Sequence, residues 1–363
     1  MRYLRFILLI LLFAGCEEYF DPDIKSVQPV YGFEGYVTDE PGSYRVRVVK
    51  SIGYNSIPSF TNVPDATVYI QCMEDRYAID YPLTYDSETG YYYTDEYAFT
   101  GQVGNSYRLK IITAEGKEFA SDFEPMLENG FPIVTSEFGE RRVLSSDGAS
   151  YYDKLENGIQ LLNSTFTWSE QSTPYFRYEC KLVFQTHQHY PAIPLPFDKY
   201  IFRPYIPQGN IFIANANDYQ NRMIFGNKLY FIPETDVYHK NDDVLEGMEY
   251  ILQHCGVYVR VKQYSMSKDQ YLYWKALGDQ LENKDYIFGK TENQPISNIK
   301  CQTDPSEPVL GYFCVSSVAT AINAISLSKI NKETYEYFIS DFPDFETTVV
   351  YDKMPDFAVP FSN

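Results

Sequence analysis

The chain has 363 residues, of which 30 are Lys or Arg and 49 are Asp or Glu, for a formal net charge of −19. A chain that long divides into two domains or three. Charge of that sign repels nucleic-acid phosphates and anionic lipid surfaces, which argues against a nucleic-acid partner and leaves cations and neutral sugars open as ligands.

The first element in chain order is a leader. "MRYLRFILLILLFAG" opens with Arg2 and Arg5, continues as a short apolar run, and ends in small Ala14 and Gly15 before Cys16. That order predicts a signal peptide over 1–15. The run falls short of the about 20 apolar residues that cross a bilayer. A cysteine directly after the cut, in "FAGC", resembles the lipobox at which bacterial lipoprotein processing attaches diacylglycerol, so Cys16 is the expected lipidation site. Multiple acyl chains of the palmitate kind, at roughly 0.8 kcal/mol per buried methylene, hold a soluble body on a membrane where one chain would be marginal. Glu17 and Glu18 cannot enter lipid cheaply and belong to a lipidated, acidic tether over 16–29. By resemblance to outer-membrane lipoproteins with an acidic patch at this place, they are expected to act as a surface-export signal. Without its leader the chain carries about −21, because 1–15 hold two basic residues and no acid.

Short strands follow. "VYGFEGYVTDEPG" ends in a Pro-Gly turn, and "SYRVRVVKS" sets Tyr44, Val46 and Val48 against Arg45, Arg47 and Val49. "NVPDATVYIQC" reads as turn then strand, with Ile70 and Cys72 on one face. "YYYTDEYAFTGQVGNSYRLKIIT" and "AEGKEFASDF" add strands around turns at 101–105 and 115–116. Alternating residues punctuated by Gly, Asn and Pro predict a β-sandwich over 30–125. The 35 tyrosines suit such sheets, where a ring packs and its hydroxyl reaches water.

A boundary is expected in "EPMLENGFP", with a larger β-rich domain over 132–363. "PYFRYECKLVFQTHQHY" reads as a core strand, and the proline-punctuated run from Pro191 to Glu234 as an irregular excursion and a candidate contact surface. "GVYVRVKQYS" alternates Val257, Val259 and Val261 with Tyr258, Arg260 and Lys262. One amphipathic helix is predicted near 267–282, capped by Ser267, with Tyr271, Trp274, Leu277 and Leu281 forming its apolar stripe. Beyond it "YFCVSSVATAINAIS" reads as a strand that continues through Ile325.

Candidate chemistry is sparse. Lipidation of Cys16 leaves five cysteines; Cys301 and Cys314 bracket a turn-rich segment and are the candidates for one short-loop disulfide. The pairing of Cys72, Cys180 and Cys255 stays open. His187 and His189 share a strand face and are weak candidates for a metal pair, though the plainer reading is two polar side chains on an exposed face. The chain has no G-x-S-x-G elbow, H-E-x-x-H, P-loop or dinucleotide loop. No catalytic residue, metal or cofactor is assigned, and the chain is not expected to be an enzyme.

The order of "GFEGYVTD", "GSYRVRVVKS", "VPDATVYI", "TGQVGNSYRLKIITAEGKEFAS", "FTWSE", the helix and "CQTDPSEPVLGYFCVSS" resembles an uncharacterised, DUF4249-like family of Bacteroidota outer-membrane lipoproteins, typically encoded beside TonB-dependent receptors. The resemblance implies an N-terminal immunoglobulin-like or transthyretin-like sandwich and a β-rich remainder without assigned activity. It points to a protein lipid-anchored in the outer membrane and exposed at the cell surface. The expected role is an accessory or ligand-binding protein of a TonB-dependent transporter, with that receptor or another outer-membrane protein as partner and a small ligand. The alternatives are a structural subunit of another outer-membrane complex and a surface hydrolase of glycans or peptides.

Overall fold

The computed structural model describes residues 29–52, 60–74, 77–130, 133–146, 151–163, 169–190, 197–205, 211–218, 225–232, 256–283 and 295–326. The protein is mostly β with one α-helix among these residues. The first nine strands are β1 (Tyr31–Thr38), β2 (Arg45–Ser51), β3 (Phe60–Asn62), β4 (Thr67–Glu74), β5 (Tyr77–Asp86), β6 (Tyr91–Tyr93), β7 (Ser106–Ile112), β8 (Glu118–Ser121) and β9 (Glu124–Pro125). Their alternation decides which face is buried: Phe33 and Val37 in β1, Val46 and Val48 in β2, Val68 and Ile70 in β4, and Leu109 and Ile111 in β7 all point into one core. Burying each such side chain contributes roughly 1.5–3 kcal/mol. The centre is aromatic, with the Phe119 ring 5.0 Å from that of Tyr31 and 4.9 Å from that of Phe33.

Eight more strands and the helix complete the first part of the remainder: β10 (Ile133–Ser146), β11 (Tyr151–Asn163), β12 (Tyr175–Tyr190), β13 (Phe197–Tyr205), β14 (Phe212–Asn215), β15 (Phe225–Ile232), β16 (Gly256–Met266), α1 (Lys268–Asn283) and β17 (Ile299–Cys301). The last two strands are β18 (Val309–Ser316) and β19 (Val318–Ser326). Strands β10, β11 and β15 form a three-stranded sheet, and β13-β12-β16-β19 with β14 form a five-stranded one. The excursion expected to be irregular therefore contributes β13, β14 and β15. Pro204 is tolerated because β13 is an edge strand, where a missing N–H breaks no interior ladder.

Strands β17 and β18 do not join that second group. They complete the first sheet, whose order is β17-β8-β7-β4-β5-β6-β2-β1-β18. β5 carries the path between its halves, pairing with β4 through Leu83 and with β6 over Thr84 to Asp86. The 30–125 strands thus form one continuous, nearly closed sheet that also takes in 299–316. β18 runs parallel to β1, from Tyr31 opposite Val309 to Thr38 opposite Ser316. Parallel neighbours need a crossover, and here the crossover is everything between them, including four strands of the five-stranded sheet.

The two ends of the path, β17 and β18, lie side by side. A side chain closes the gap between them: the Phe313 N–H donates to Asn298 Oδ1 at 2.9 Å, and Asn298 Nδ2 donates to the Phe313 carbonyl at 2.9 Å. Gly311 sits in β18 at φ +95°, and a Cβ there would lie 1.8 Å from the Phe33 carbonyl oxygen, so only glycine fits the pairing.

The expected single strand from 311 to 325 is broken at Ser317. β18 ends in the first sheet and β19 begins in the five-stranded one. Ser317 donates to the Leu127 carbonyl at 2.8 Å, and its N–H donates to Ser265 Oγ at 2.8 Å, which satisfies the backbone where the chain changes sheets.

Helix α1 begins as predicted: Ser267 Oγ accepts the Gln270 N–H at 3.2 Å. Its buried face is turned from the expected stripe. Leu281 is 38% exposed, whereas Gln270 and Ala276 are buried. The helix packs against β12, β14 and β16 and also against β18, so two sheets share its inner side. The Tyr273 ring meets Tyr312 of β18 at 4.8 Å, and Tyr271 stacks on Tyr175 of β12 at 4.8 Å.

Candidate functional site

Antiparallel pairing of β12 with β16 sets Arg177 opposite Tyr264, Glu179 opposite Lys262 and Lys181 opposite Arg260. Because side chains alternate along a strand, these six share one face. The other face holds Phe176, Tyr178 and Cys180 with Val259 and Val261, all buried. The polar face looks toward the outer side of the first sheet, where β1 supplies Tyr36, β2 supplies Arg45 and β18 supplies Cys314, with Glu40 from the loop after β1. The face opens into two adjoining lobes, one of about 230 Å³ among β12, β14, β16 and α1 and one of about 250 Å³ against the first sheet, which share Arg177, Glu179, Arg260 and Lys262. Trp274 of α1 walls the first lobe.

Local geometry holds these groups firmly. Arg177 Nη1 donates to Glu179 Oε1 at 2.8 Å, and Tyr264 donates its hydroxyl to Glu179 Oε2 at 2.8 Å. The Arg177 guanidinium carbon lies 4.5 Å from the Tyr264 ring centre and 4.9 Å from that of Trp274, so both rings stack on one cation. Lys262 Nζ donates to both oxygens of Glu40, at 2.8 and 2.6 Å, and ties the five-stranded sheet to the first. Arg45 lies 4.9 Å over Tyr91 and 5.9 Å over Tyr36.

Burial shapes the ionisation of the walls. It raises the Tyr264 hydroxyl strongly, and the Glu179 charge raises it further, so Tyr264 remains a neutral donor. Burial also raises Tyr36, with Arg45 pulling the other way. The Cys314 thiol is pushed up to about 12 by burial, against a smaller lowering by Arg177. It stays protonated at neutral pH and is no nucleophile there. The arrangement therefore offers charge recognition and stacking.

The sequence-predicted site residues fall elsewhere. Cys16, Glu17, Glu18 and Cys255 lie outside the described residues. The backbones of His187 and His189 sit in β12 opposite Tyr200 and Asp198; their side chains are outside the described set. Among the described residues no group of three His, Cys, Asp or Glu side chains could hold a metal ion. Nor is any helix among them long and apolar enough to cross a membrane.

The Cys301–Cys314 disulfide is not formed, and both thiols are free. Cys301 points into the core of the first sheet, while Cys314 points outward to the cleft, because Phe313 and Val315 beside it take the inward positions. Short separation in sequence does not bring opposite faces of a sheet within bridging distance. Cys72 and Cys180 are free as well.

The cleft residues were visible as types, not as a site. "RYECK" and "RVKQY" each show charges at every second position, a pattern that ordinarily marks a solvated strand face. No local signal says that this face is covered by another sheet.

Fold and cleft together define a class: a β-rich protein in which a nearly closed sheet and a second sheet flank a charged, aromatic-walled cleft. The chain belongs to the DUF4249 family, described as a domain of unknown function, whose profile matches residues 17–322. No curated protein matches it.

Proposed function

We propose that the protein is a lipid-anchored, surface-exposed accessory or ligand-binding protein of the outer membrane, associated with a TonB-dependent transporter, and that its ligand enters the cleft between the first and five-stranded sheets. One observation carries the binding part: charged and aromatic side chains from five separate elements converge on an open cleft at the junction of two sheets, the kind of place where ligand sites concentrate. The anchoring part is supported by "FAGCEE" at the end of the leader. A binding module tethered at the membrane raises the effective concentration of captured ligand near a pore.

Purification of the native assembly in gentle detergent, with its neighbours identified by mass spectrometry, tests the association. Co-purification with an outer-membrane receptor is expected. A protein that runs alone defeats the accessory role, and recovery in a large assembly without a transporter favours a structural subunit instead. Mass spectrometry of the mature amino terminus is expected to find acyl chains on Cys16, and protease added to intact cells is expected to cut the protein.

A further inference from the structure

Beyond the cleft, the outer face of the first sheet runs on to the end where β1 begins. Two guanidinium groups alternate there with three rings: Arg45 lies over Tyr36 and Tyr91, and Arg47 over Tyr91 and Phe60. Neither arginine side chain makes an ion pair or hydrogen bond among the described residues, and Arg47 Nε is buried without an acceptor. Buried N–H groups nearly always find a partner, so such an exception calls for a reason. The carboxylates nearby do not supply one. Glu34 stands opposite Arg47 in the register of β1 and β2, yet pairs with no cation among the described residues. Asp86, opposite Tyr91, is engaged by the Glu88 N–H and the Thr89 hydroxyl, both at 2.9 Å. Glu40 is held by Lys262, and Glu179 by Arg177 and Tyr264. Toward the start of β1 the face turns apolar. Gly32 lies between Val49 of β2 and Leu310 of β18, Phe60 is opposite Ser51, and Leu310 and Phe60 are exposed. A contiguous exposed apolar patch marks a contact surface.

We propose that this face is the docking site of the chain's own acidic segment "EEYFDPDIKSVQ", residues 17–28. The segment enters the sheet at this very end, where the Val30 N–H donates to Ser51 Oγ at 2.8 Å. Read backward from Val30, its side chains match the face in order. Val27 and Ile24 come first, for Val49, Phe60 and Leu310; Lys25 suits Glu34; Asp23 and Asp21 follow, for Arg47 and Arg45. The reach is sufficient. Asp23 precedes Val30 by seven residues, a span of about 23 Å in extended chain. Arg47 is opposite Glu34, four residues beyond Val30, or about 13 Å at the strand rise. Arg45 lies about 7 Å further by the same rise. A short link holds the segment at an effective concentration of millimolar order, so a few charge-assisted contacts are enough to seat it. Its path leads toward Arg45, which also lines the second lobe, and so brings Cys16 and the cleft to one side of the body.

Disulfide trapping in the full chain, purified in mild detergent at low salt, tests the contact without removing any of its charges. Phe20→Cys is combined with Tyr93→Cys, opposite Arg45 on this face, or with Thr67→Cys, exposed on β4 across the nearly closed sheet. Peptide mapping after mild oxidation is expected to show the first bridge forming about tenfold faster than the second, the worth of one charge-assisted contact. That preference is expected to fall with added salt, and to vanish when Arg45→Gln and Arg47→Gln are introduced together. Circular dichroism melts establish that each variant is folded. Equal rates for the two bridges, or none of either, overturn the proposal. So does a preference that survives in the double arginine variant. A bridge between two copies through Tyr93→Cys, or one to another protein, also overturns it and gives the face to that occupant.

Discussion

Buried tyrosine hydroxyls serve this protein as loop clamps. Tyr44 donates to the Thr38 carbonyl at 2.5 Å and accepts the Gly101 N–H at 3.0 Å, and Tyr92 donates to the Val63 carbonyl at 2.6 Å and accepts the Ala66 N–H at 3.0 Å. Tyr107 accepts the Gln102 N–H at 2.8 Å. Each ring fills core while its oxygen satisfies backbone that the strands leave unpaired, which is one physical use for so many tyrosines. The thiols give a direct test. Burial pushes Cys180 and Cys314 to about 12 and raises Cys72. Iodoacetamide at pH 8 should therefore leave these three and buried Cys301 unmodified in the folded protein and alkylate them after denaturation, as peptide mapping would show. A Cys301–Cys314 cross-linked peptide in the same maps would contradict the opposite orientation of the two side chains.

Asp39 offers a test by pH. Burial raises its carboxyl above the ordinary value, although the Val318 N–H donates to it at 2.8 Å. A folded pKa above the unfolded one means that the folded protein binds the proton more tightly. The stability this group contributes is complete below the unfolded value and is lost as pH rises through the folded value. Asp39→Asn should then gain stability relative to the parent at pH 7 compared with pH 3, measured by denaturant titration at both. A difference that shrinks on going to pH 7 would contradict this.

Among elements, the seam between β17 and β18 depends on one residue. Asn298 replaces ladder bonds with its own amide at Phe313. Asn298→Ala would leave the buried Phe313 N–H and carbonyl unpaired, and each buried unsatisfied group costs about 1–3 kcal/mol. The denaturation midpoint should fall accordingly; an unchanged midpoint would mean that the seam is held by other contacts. The helix shows how far local reading reaches. Its start is written in Ser267, whose hydroxyl caps locally, and the structure keeps it. Its buried face is not, because the helix lies on two sheets and the second, β18, arrives from far along the chain.

For the whole molecule, the segment 29–130 is not a complete sheet. It lacks β17 and β18, and with them Ile299, Cys301, Phe313 and Val315 of the shared core. Produced alone, that segment should fail to melt cooperatively and should aggregate through the open edge of β1. A monomeric fragment with the full chain's cooperative transition would show that the later strands are dispensable. The Lys117–Glu307 contact at 2.6 Å adds a small tether between the same two parts, worth at most about 1 kcal/mol at its exposure.

By itself the sequence determined what repeats locally. Strand faces such as Tyr44-Val46-Val48, turns at Gly104 and Gly116, the Ser267 cap and the β-rich class all follow from period-two alternation and short-range hydrogen bonding. Only the tertiary structure decided which strands are neighbours. The parallel docking of β18 on β1 and the cover over the charges of "RYECK" and "RVKQY" join residues far apart in the chain, and the Asn298 seam and the opposite facing of Cys301 and Cys314 follow from that docking. A side-chain period says which face is polar but carries no information about what lies across from it.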